Sequence, residues 1–424
     1  MSTSNKTRIL FVSYGGGHIE IIKEIIKEFY NDKTYEVHLL PLTSAIPTIN
    51  EFQKKYSQVV IHSLENLLPI FGDSVSKILE YGELIFNENF NPNLGISENE
   101  TKIYLGISLY DLVKEYGERL ALEKYNIQKR QAFLPSISLK TILKYINPDL
   151  VFTTNSPRME YAALLAAREL NIETYQILDL FGEGYPSPIA DNVLVLNENV
   201  KNKIQKLYEL KYVYVVGQPI FDKTLDEVND VEKDDVLLKN NLSFDKKILL
   251  FSPTKYILRN ENNKVIGFGD NDVVNEPVFK ILDNLIINHN LQIILRPHPV
   301  SDTIENYIKY IKPGYYYFEN NELNLYESIA ISDYCLTHIS TLAIQFMVCN
   351  KKVFTYNIPN NEYLIGEYKN TPFIYSETFT DLNKNLLKYI NGNHNFDYSV
   401  FYNYGAKSRI KKIIDNKLNG IINN

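Results

Sequence analysis

The chain has 424 residues, of which 45% are hydrophobic and 22% charged, and a formal net charge of −7. That length passes the ~250–300 residues at which single cores stop growing, so two domains are expected, with enough apolar residues for a sizeable core. The acidic balance argues against a broad polyanion-binding face and excludes nucleic acid as an expected partner.

No stretch approaches the ~20 consecutive apolar residues of a membrane span, and the opening MSTSNKTR is polar, without the apolar core of a signal peptide. The expectation is a cytoplasmic protein without a transmembrane segment, with peripheral membrane contact left open. Cys335 and Cys349 lie in apolar surroundings without the close Cys/His pairing of a zinc site, and read as buried reduced thiols.

TRILFVSY (7–14) reads as a strand and His18 to Tyr30 as a helix, with Ile22, Ile25, Ile26 and Phe29 recurring on one face. YEVHLLPL (35–42) closes a βαβ opening. Residues 50–145 lose this rhythm and read as a mostly helical insertion. At 148–180 the alternation returns as a strand, a loop, a helix capped by Ser156 with Pro157 in its first turn, and another strand. Strands at 192–197 and 211–217 continue it. Residues 222–245 are acidic and polar, and read as a linker. A second series follows: strand 246–254, a helix near 277–288, then strands at 291–299, 315–320, 332–341 and 351–358.

Two such arrays predict an α/β protein of two facing Rossmann-like domains. The expected boundaries are 1–221, carrying the insertion at about 50–145, the linker 222–245, a second domain 246–400, and a C-terminal helix 401–424. In open sheets of this kind, ligands bind beyond the carboxyl ends of the strands, which directs attention to the loops there.

FVSYGGGHI (11–19) places Gly15, Gly16 and Gly17 between a strand and a helix. Bare backbone there lets a ligand approach the free N–H groups of the helix start, although a tight turn without a ligand would use the same residues. The pattern is not G-x-G-x-x-G and no ribose-binding acid follows about 20 residues on, so no dinucleotide cofactor is expected. His18 reads as a general base or as a hydrogen-bonded helix-start residue. QILDLFGEGYP (176–186) offers Asp179 and Glu183 as further candidate bases, with loop solubility or capping as the alternative. TTNSPRMEY (153–161) offers Asn155, Ser156 and Arg158 to an anionic acceptor or donor phosphate, unless Arg158 braces a neighbouring carboxylate.

In the second array, ILRPHP holds Arg296 and His298 between prolines at a strand end, where they can grip a phosphate or only shape the loop. SDYCLTHISTLAIQF gathers Thr337, His338, Ser340 and Thr341 at a helix start. Ser340 or Thr341 can cap that helix, and Gln345 lies one turn further on, within reach of a ribose. FSPTKY adds Ser252, Thr254 and Lys255, which is also ordinary turn chemistry.

The order of these features, with VGQPIFD (216–222) between the halves, resembles GT-B nucleotide-sugar enzymes over 7–45 and 148–358. The resemblance takes in non-hydrolysing UDP-N-acetylglucosamine 2-epimerases, the peptidoglycan N-acetylglucosamine transferase, CDP-glycerol glycerophosphotransferases, and capsule sialyl- or Kdo-transferases with a His-Pro motif. It implies a nucleotide donor, UDP- or CMP-linked, held by Ser252, Thr254, Lys255, Arg296, His298, Thr337, His338, Ser340, Thr341 and Gln345. Gly15–Gly17 and His18 would face the donor's reacting sugar and the acceptor, a carbohydrate or lipid-linked molecule. Gln345 is neutral where an acid is common in these families, and GGGHIE replaces the Arg-Pro-Glu stretch of the epimerases, which weakens epimerisation. No D-x-D-dependent metal is expected, because helix dipoles can neutralise a leaving phosphate. The expected function is a metal-independent glycosyltransferase of surface-polysaccharide or glycoconjugate synthesis. The alternatives are a UDP-N-acetylglucosamine 2-epimerase-like enzyme and a catalytically silent nucleotide-sugar-binding subunit.

Overall fold

The computed structural model describes residues 6–182, 186–259, 265–298, 302–338, 340–358, 371–392 and 401–421. The chain forms two compact units, one of Met1–Ile220 with Tyr404–Asn424, the other of Phe221–Asn403.

The first unit is built on a seven-stranded parallel sheet. Its strands are β1 (Thr7–Ser13), β2 (Tyr35–Pro41), β3 (Val60–Ile61), β4 (Leu150–Thr153), β5 (Glu173–Ile177), β6 (Asn192–Val195) and β7 (Tyr212–Val215), in the order β3-β2-β1-β4-β5-β6-β7. A parallel sheet has both faces covered, which is why Ile9, Leu10, Phe11 and Val12 form a continuous run with no exposed member. On one face lies the helix Gly17–Phe29, which buries Ile19, Ile22, Ile25, Ile26 and Phe29. The C-terminal helix Ala406–Leu418 packs beside it through Ile410 and Ile414. Lys417 pairs with Glu173 at 3.0 Å and Lys411 with Asp32 at 2.8 Å, fixing that helix to the first unit.

The insertion is helical as expected, except that it contains β3, which extends the sheet edge by pairing with His38 and Leu39. Two residues are too few to leave an alternation signal. The insertion's longest helices, Val75–Phe86 and Glu98–Tyr116, approach so closely that a Cβ on Gly106 would lie 2.0 Å from the carbonyl oxygen of Ile78.

The second unit repeats the plan with six parallel strands, β8 (Lys247–Ser252), β11 (Leu291–Leu295), β12 (Tyr315–Tyr317), β13 (Tyr334–Thr337), β14 (Lys352–Tyr356) and β15 (Ile374–Ser376), in the order β12-β11-β8-β13-β14-β15. A small antiparallel hairpin of β9 (Ile257–Arg259) and β10 (Val265–Phe268), which the sequence pattern did not suggest, follows β8. The stretch 222–245, expected as a linker, contains helical residues of Pro219–Asn229 and the helix Lys233–Lys239. Its Val236 and Leu242 join Ile248, Ile294, Leu323 and Ile331 in an apolar cluster of the second unit. Burial of Val228, Val236 and Leu242, with Val231 and Leu237 packed beside the cluster, is what draws the stretch into that unit. Among the described residues no helix is long and apolar enough to cross a membrane.

Candidate active site

In the first sheet the chain moves from β1 outward through β2 to β3, then returns to the other side of β1 and moves through β4 to β7. The direction of winding therefore reverses between β1 and β4, and the loops at their carboxyl ends diverge there, leaving a crevice. These loops carry the three glycines and residues 154–158.

The three glycines serve different ends. Gly15 is bare because a Cβ would lie 2.4 Å from the backbone carbon of Ser44 and 2.7 Å from the backbone nitrogen of Ala45. Gly16 takes φ +69°, a conformation that side chains disfavour. Gly17 opens the helix with nothing within 4 Å of where a Cβ would stand. Gly16 likewise has nothing within 4 Å of where a Cβ would stand, so Gly16 and Gly17 both leave the open approach expected of ligand-facing residues, and only Gly17 does so without a positive φ.

His18 stands in the first turn of that helix, half-buried, and its Nδ1 lies 2.7 Å from Thr154 Oγ1. The Thr154 hydroxyl donates in turn to Glu160 Oε2 at 2.5 Å. Glu160 is fully buried and also accepts the backbone N–H of Tyr14 at 2.7 Å on Oε1 and that of Ser156 at 3.4 Å on Oε2. Burial raises the Glu160 pKa, while the charge of His18 and these hydrogen bonds act against the rise.

This arrangement corrects the expected cap. The helix after β4 begins at Met159 with Arg158, not Ser156, at its N-cap, and Arg158 takes φ +67°. The chain bends at Arg158 so that Glu160 can reach beneath the glycine loop and collect its donors. Asn155 accepts the Asp179 N–H at 3.1 Å, and its own buried Nδ2 has no partner among the described residues. Asp179 is half-buried, and burial raises its carboxyl pKa against the opposing charge of His18. His18, Asn155 and Asp179 thus share one end of the sheet. Glu183 lies outside the described residues.

A cavity of about 410 Å³ opens on His18, lined also by Gly15, Ser156 and Arg158 from the sheet loops, and by Tyr104 and Arg130 from the insertion. The Arg158 guanidinium lies over the Tyr14 ring, 5.1 Å from its centroid, with Nε buried and unpartnered. Among the described residues neither Arg158 nor Arg130 makes an ion pair, although the buried charge of Glu160 acts on Arg158. The Tyr14 and Tyr104 hydroxyls meet at 2.8 Å and tie the insertion to the glycine loop.

The second sheet reverses its winding between β8 and β13. Ser340 caps the helix Thr341–Val348, its Oγ accepting the Leu342 N–H at 3.2 Å, while Thr341 is exposed and Thr337 buried. His338 is buried, with Nδ1 2.7 Å from the carbonyl oxygen of Tyr356. A carbonyl only accepts, so Nδ1 carries the proton, and the buried Nε2 has no partner among the described residues. Burial lowers the His338 pKa to about 4, which keeps the ring neutral. Ser252 and Thr254 are half-buried at the end of β8, where Lys255 pairs with Asp302 at 3.8 Å.

Two expected donor contacts are engaged elsewhere. The Arg296 guanidinium donates to Leu323 O, Ser328 Oγ and Asn320 Oδ1 at 3.2, 3.2 and 2.7 Å, bracing a neighbouring loop and helix. Gln345 is buried and donates to Thr224 Oγ1 at 3.1 Å. His298 is exposed beyond β11, and Pro299 lies outside the described residues. Sequence reading missed Thr154, Glu160, Tyr14, Tyr104 and Arg130. An acid in the first turn of a helix that is otherwise apolar until Arg168 was the one available signal for Glu160.

Two doubly wound parallel-sheet domains with these loops at the strand ends are the GT-B-like architecture. Residues 185–390 match the family model described as CDP-Glycerol:Poly(glycerophosphate) glycerophosphotransferase. A search of curated proteins gave no match. Among solved structures, the chain is similar to a UDP-GlcNAc 2-epimerase from Methanocaldococcus jannaschii, with TM-score 0.59 and 15% identity over 96% of this chain and 99% of that one. It is also similar to a UDP-GlcNAc 2-epimerase from Neisseria meningitidis bound to UDP-GlcNAc, with TM-score 0.59 and 11% identity over 97% and 100% of the two chains. MurG from Acinetobacter baumannii gives TM-score 0.53 and 11% identity over 97% and 99%. At these identities the likeness is one of fold.

Proposed function

We propose that the protein is a group transferase that moves a sugar from a nucleotide-sugar donor to an acceptor hydroxyl, with His18 as the general base. The observation that carries this reading is the His18–Thr154–Glu160 chain, which holds an imidazole at the mouth of a cavity also bordered by two arginines without ion-pair partners. In this reading the second unit binds the nucleotide. The capped start of the helix Thr341–Val348 stabilises its phosphates, and the His338 Nε2 accepts a hydrogen bond from a ribose hydroxyl or a base N–H. The first unit binds the acceptor, with Arg158 and the Asn155 amide engaging an anionic or polar group on it.

The acceptor hydroxyl passes its proton to His18 while its oxygen bonds to the anomeric carbon. The bond from that carbon to the nucleotide phosphate breaks, and the nucleotide leaves with the electron pair.

The match at 185–390 favours a second reading, transfer of glycerol phosphate from CDP-glycerol. One experiment separates the two. The protein is incubated with UDP- and CMP-sugars and with CDP-glycerol, each with and without carbohydrate and glycerophosphate acceptors, and the released nucleotide is identified. UDP from a UDP-sugar, or CMP from a CMP-sugar, supports glycosyl transfer, whereas CMP from CDP-glycerol supports phosphoryl transfer. A new free sugar or UDP-sugar from UDP-GlcNAc alone would replace both with epimerase chemistry.

A further inference from the structure

We infer that Thr154 and Glu160 are positioning residues which hold His18 in the Nδ1–H tautomer, so that Nε2 is the nitrogen that takes the acceptor's proton. The tautomer assignment stands on hydrogen-bond geometry alone, and its catalytic consequence rests on the transferase reading above.

Glu160 is surrounded by donors: the Tyr14 N–H on Oε1, and the Ser156 N–H and the Thr154 hydroxyl on Oε2. Two of these are backbone amides, which cannot reverse direction, so a proton on Oε1 would point at the Tyr14 amide, and a proton on Oε2 would have to turn the Thr154 hydroxyl toward His18. Only a carboxylate accepts from all three donors. Thr154 owns a single hydroxyl proton, and the 2.5 Å contact commits it to Glu160. Its oxygen can then only accept from His18 at 2.7 Å, which requires the proton on Nδ1.

When Nε2 takes the acceptor's proton, the resulting imidazolium keeps its Nδ1–H bond to Thr154, which remains polarised by the buried anion behind it. This is the orienting logic of a carboxylate behind a catalytic histidine, with one hydroxyl inserted between them. Glu160 and Asp179 are among the charged groups that act on the ring from adjoining loops. Arg158 and Tyr14 line the same cavity.

Thr154 is almost fully buried and Glu160 completely so, which places both out of contact with substrate and distinguishes them from His18. They act through it. A purely structural role would hold the loop in place but leave the tautomer unspecified.

The test uses the full chain labelled with ¹⁵N-histidine, the His18 signals being assigned by their loss in His18→Gln. Long-range ¹H–¹⁵N spectra at a pH where the ring is neutral report which nitrogen is protonated. The expected result is Nδ1–H in the wild type and in Thr154→Ser, and a mixed or Nε2–H population in Thr154→Val. Kinetically, Thr154→Val should lower kcat about 10- to 100-fold with donor KM unchanged, and Thr154→Ser should restore most of it. Glu160→Gln should behave like Thr154→Val if it folds, and the two threonine variants decide the matter if it does not. An Nε2–H ring in the wild type, or a Thr154→Val variant with wild-type tautomer and kcat, overturns the inference. The expected tautomer in a protein whose turnover ignores His18→Gln would instead overturn the transferase reading and leave the tautomer assignment standing.

Discussion

Replacing the three glycines one at a time by alanine should separate packing, backbone strain and ligand approach. At Gly15 the new Cβ would lie 2.4 and 2.7 Å from backbone atoms of Ser44 and Ala45. Backbone cannot swing aside as a side-chain tip would, so the loop at 42–46 must shift, at a cost of about 1–3 kcal/mol. In a unit of this size each kcal/mol lowers Tm by roughly 2–4 °C, so Gly15→Ala should melt about 2–12 °C lower. Gly16→Ala should cost about 1–3 kcal/mol through φ +69° alone. Gly17→Ala meets nothing and gains helix propensity, so its Tm should stay within about 2 °C of wild type. Its turnover should nevertheless fall at least 10-fold, because the methyl group enters the approach to the helix start. Thermal melts paired with nucleotide-release assays read both quantities on the same samples. A Gly15→Ala protein as stable as wild type would refute the packing argument, and a fully active Gly17→Ala would refute the ligand-approach argument.

His18→Gln should lower kcat by about 10²–10⁴ with Tm nearly unchanged, measured by nucleotide release at saturating donor. Arg158→Gly should remove the strain of φ +67° and raise Tm by a few degrees, while raising the acceptor KM, as steady-state kinetics would show. His338→Phe should raise the donor KM about 10-fold by deleting the buried Nε2 acceptor, with kcat for bound donor little changed, checked by titrating the nucleotide donor. Stability should depend on pH through His62, whose ring stacks on His38 with the Nε2 of His62 2.8 Å from the Nδ1 of His38. Burial and then the neighbouring positive charge of His38 lower the His62 pKa from 6.5 to about 4, so the unfolded chain takes up the proton first as pH falls. Stability is therefore complete above about pH 6.5 and declines down to about pH 4. The loss is about 1–2 kcal/mol after allowing for partial solvent screening, read by urea unfolding across that range and reduced in His62→Gln, where the lowered pKa of His38 still contributes.

Much of the fold was legible because parallel strands covered on both faces write themselves as uninterrupted apolar runs, as in TRILFVS and KILLFS. The helix start at His18 and the Ser340 cap were equally visible, since capping chemistry is local. The short β3 and the hairpin β9–β10 were not, because two to four residues leave too little periodicity. Arg296 and Gln345 carried residue types suited to a phosphate or ribose, and only their surroundings showed that Leu323, Asn320, Ser328 and Thr224 already engage them.

What the sequence by itself determined was the alternation of strands and helices and the set of loops at the strand ends, because hydrophobic period and turn chemistry act over a few residues. What only the tertiary structure decided was which side chains meet. Thr154 and His18 are 136 residues apart, and Glu160 finds the Tyr14 amide across 146. A buried carboxylate must collect its donors from whatever backbone the sheet order brings beside it, and that order is set by the packing of whole elements rather than by any local run of residues.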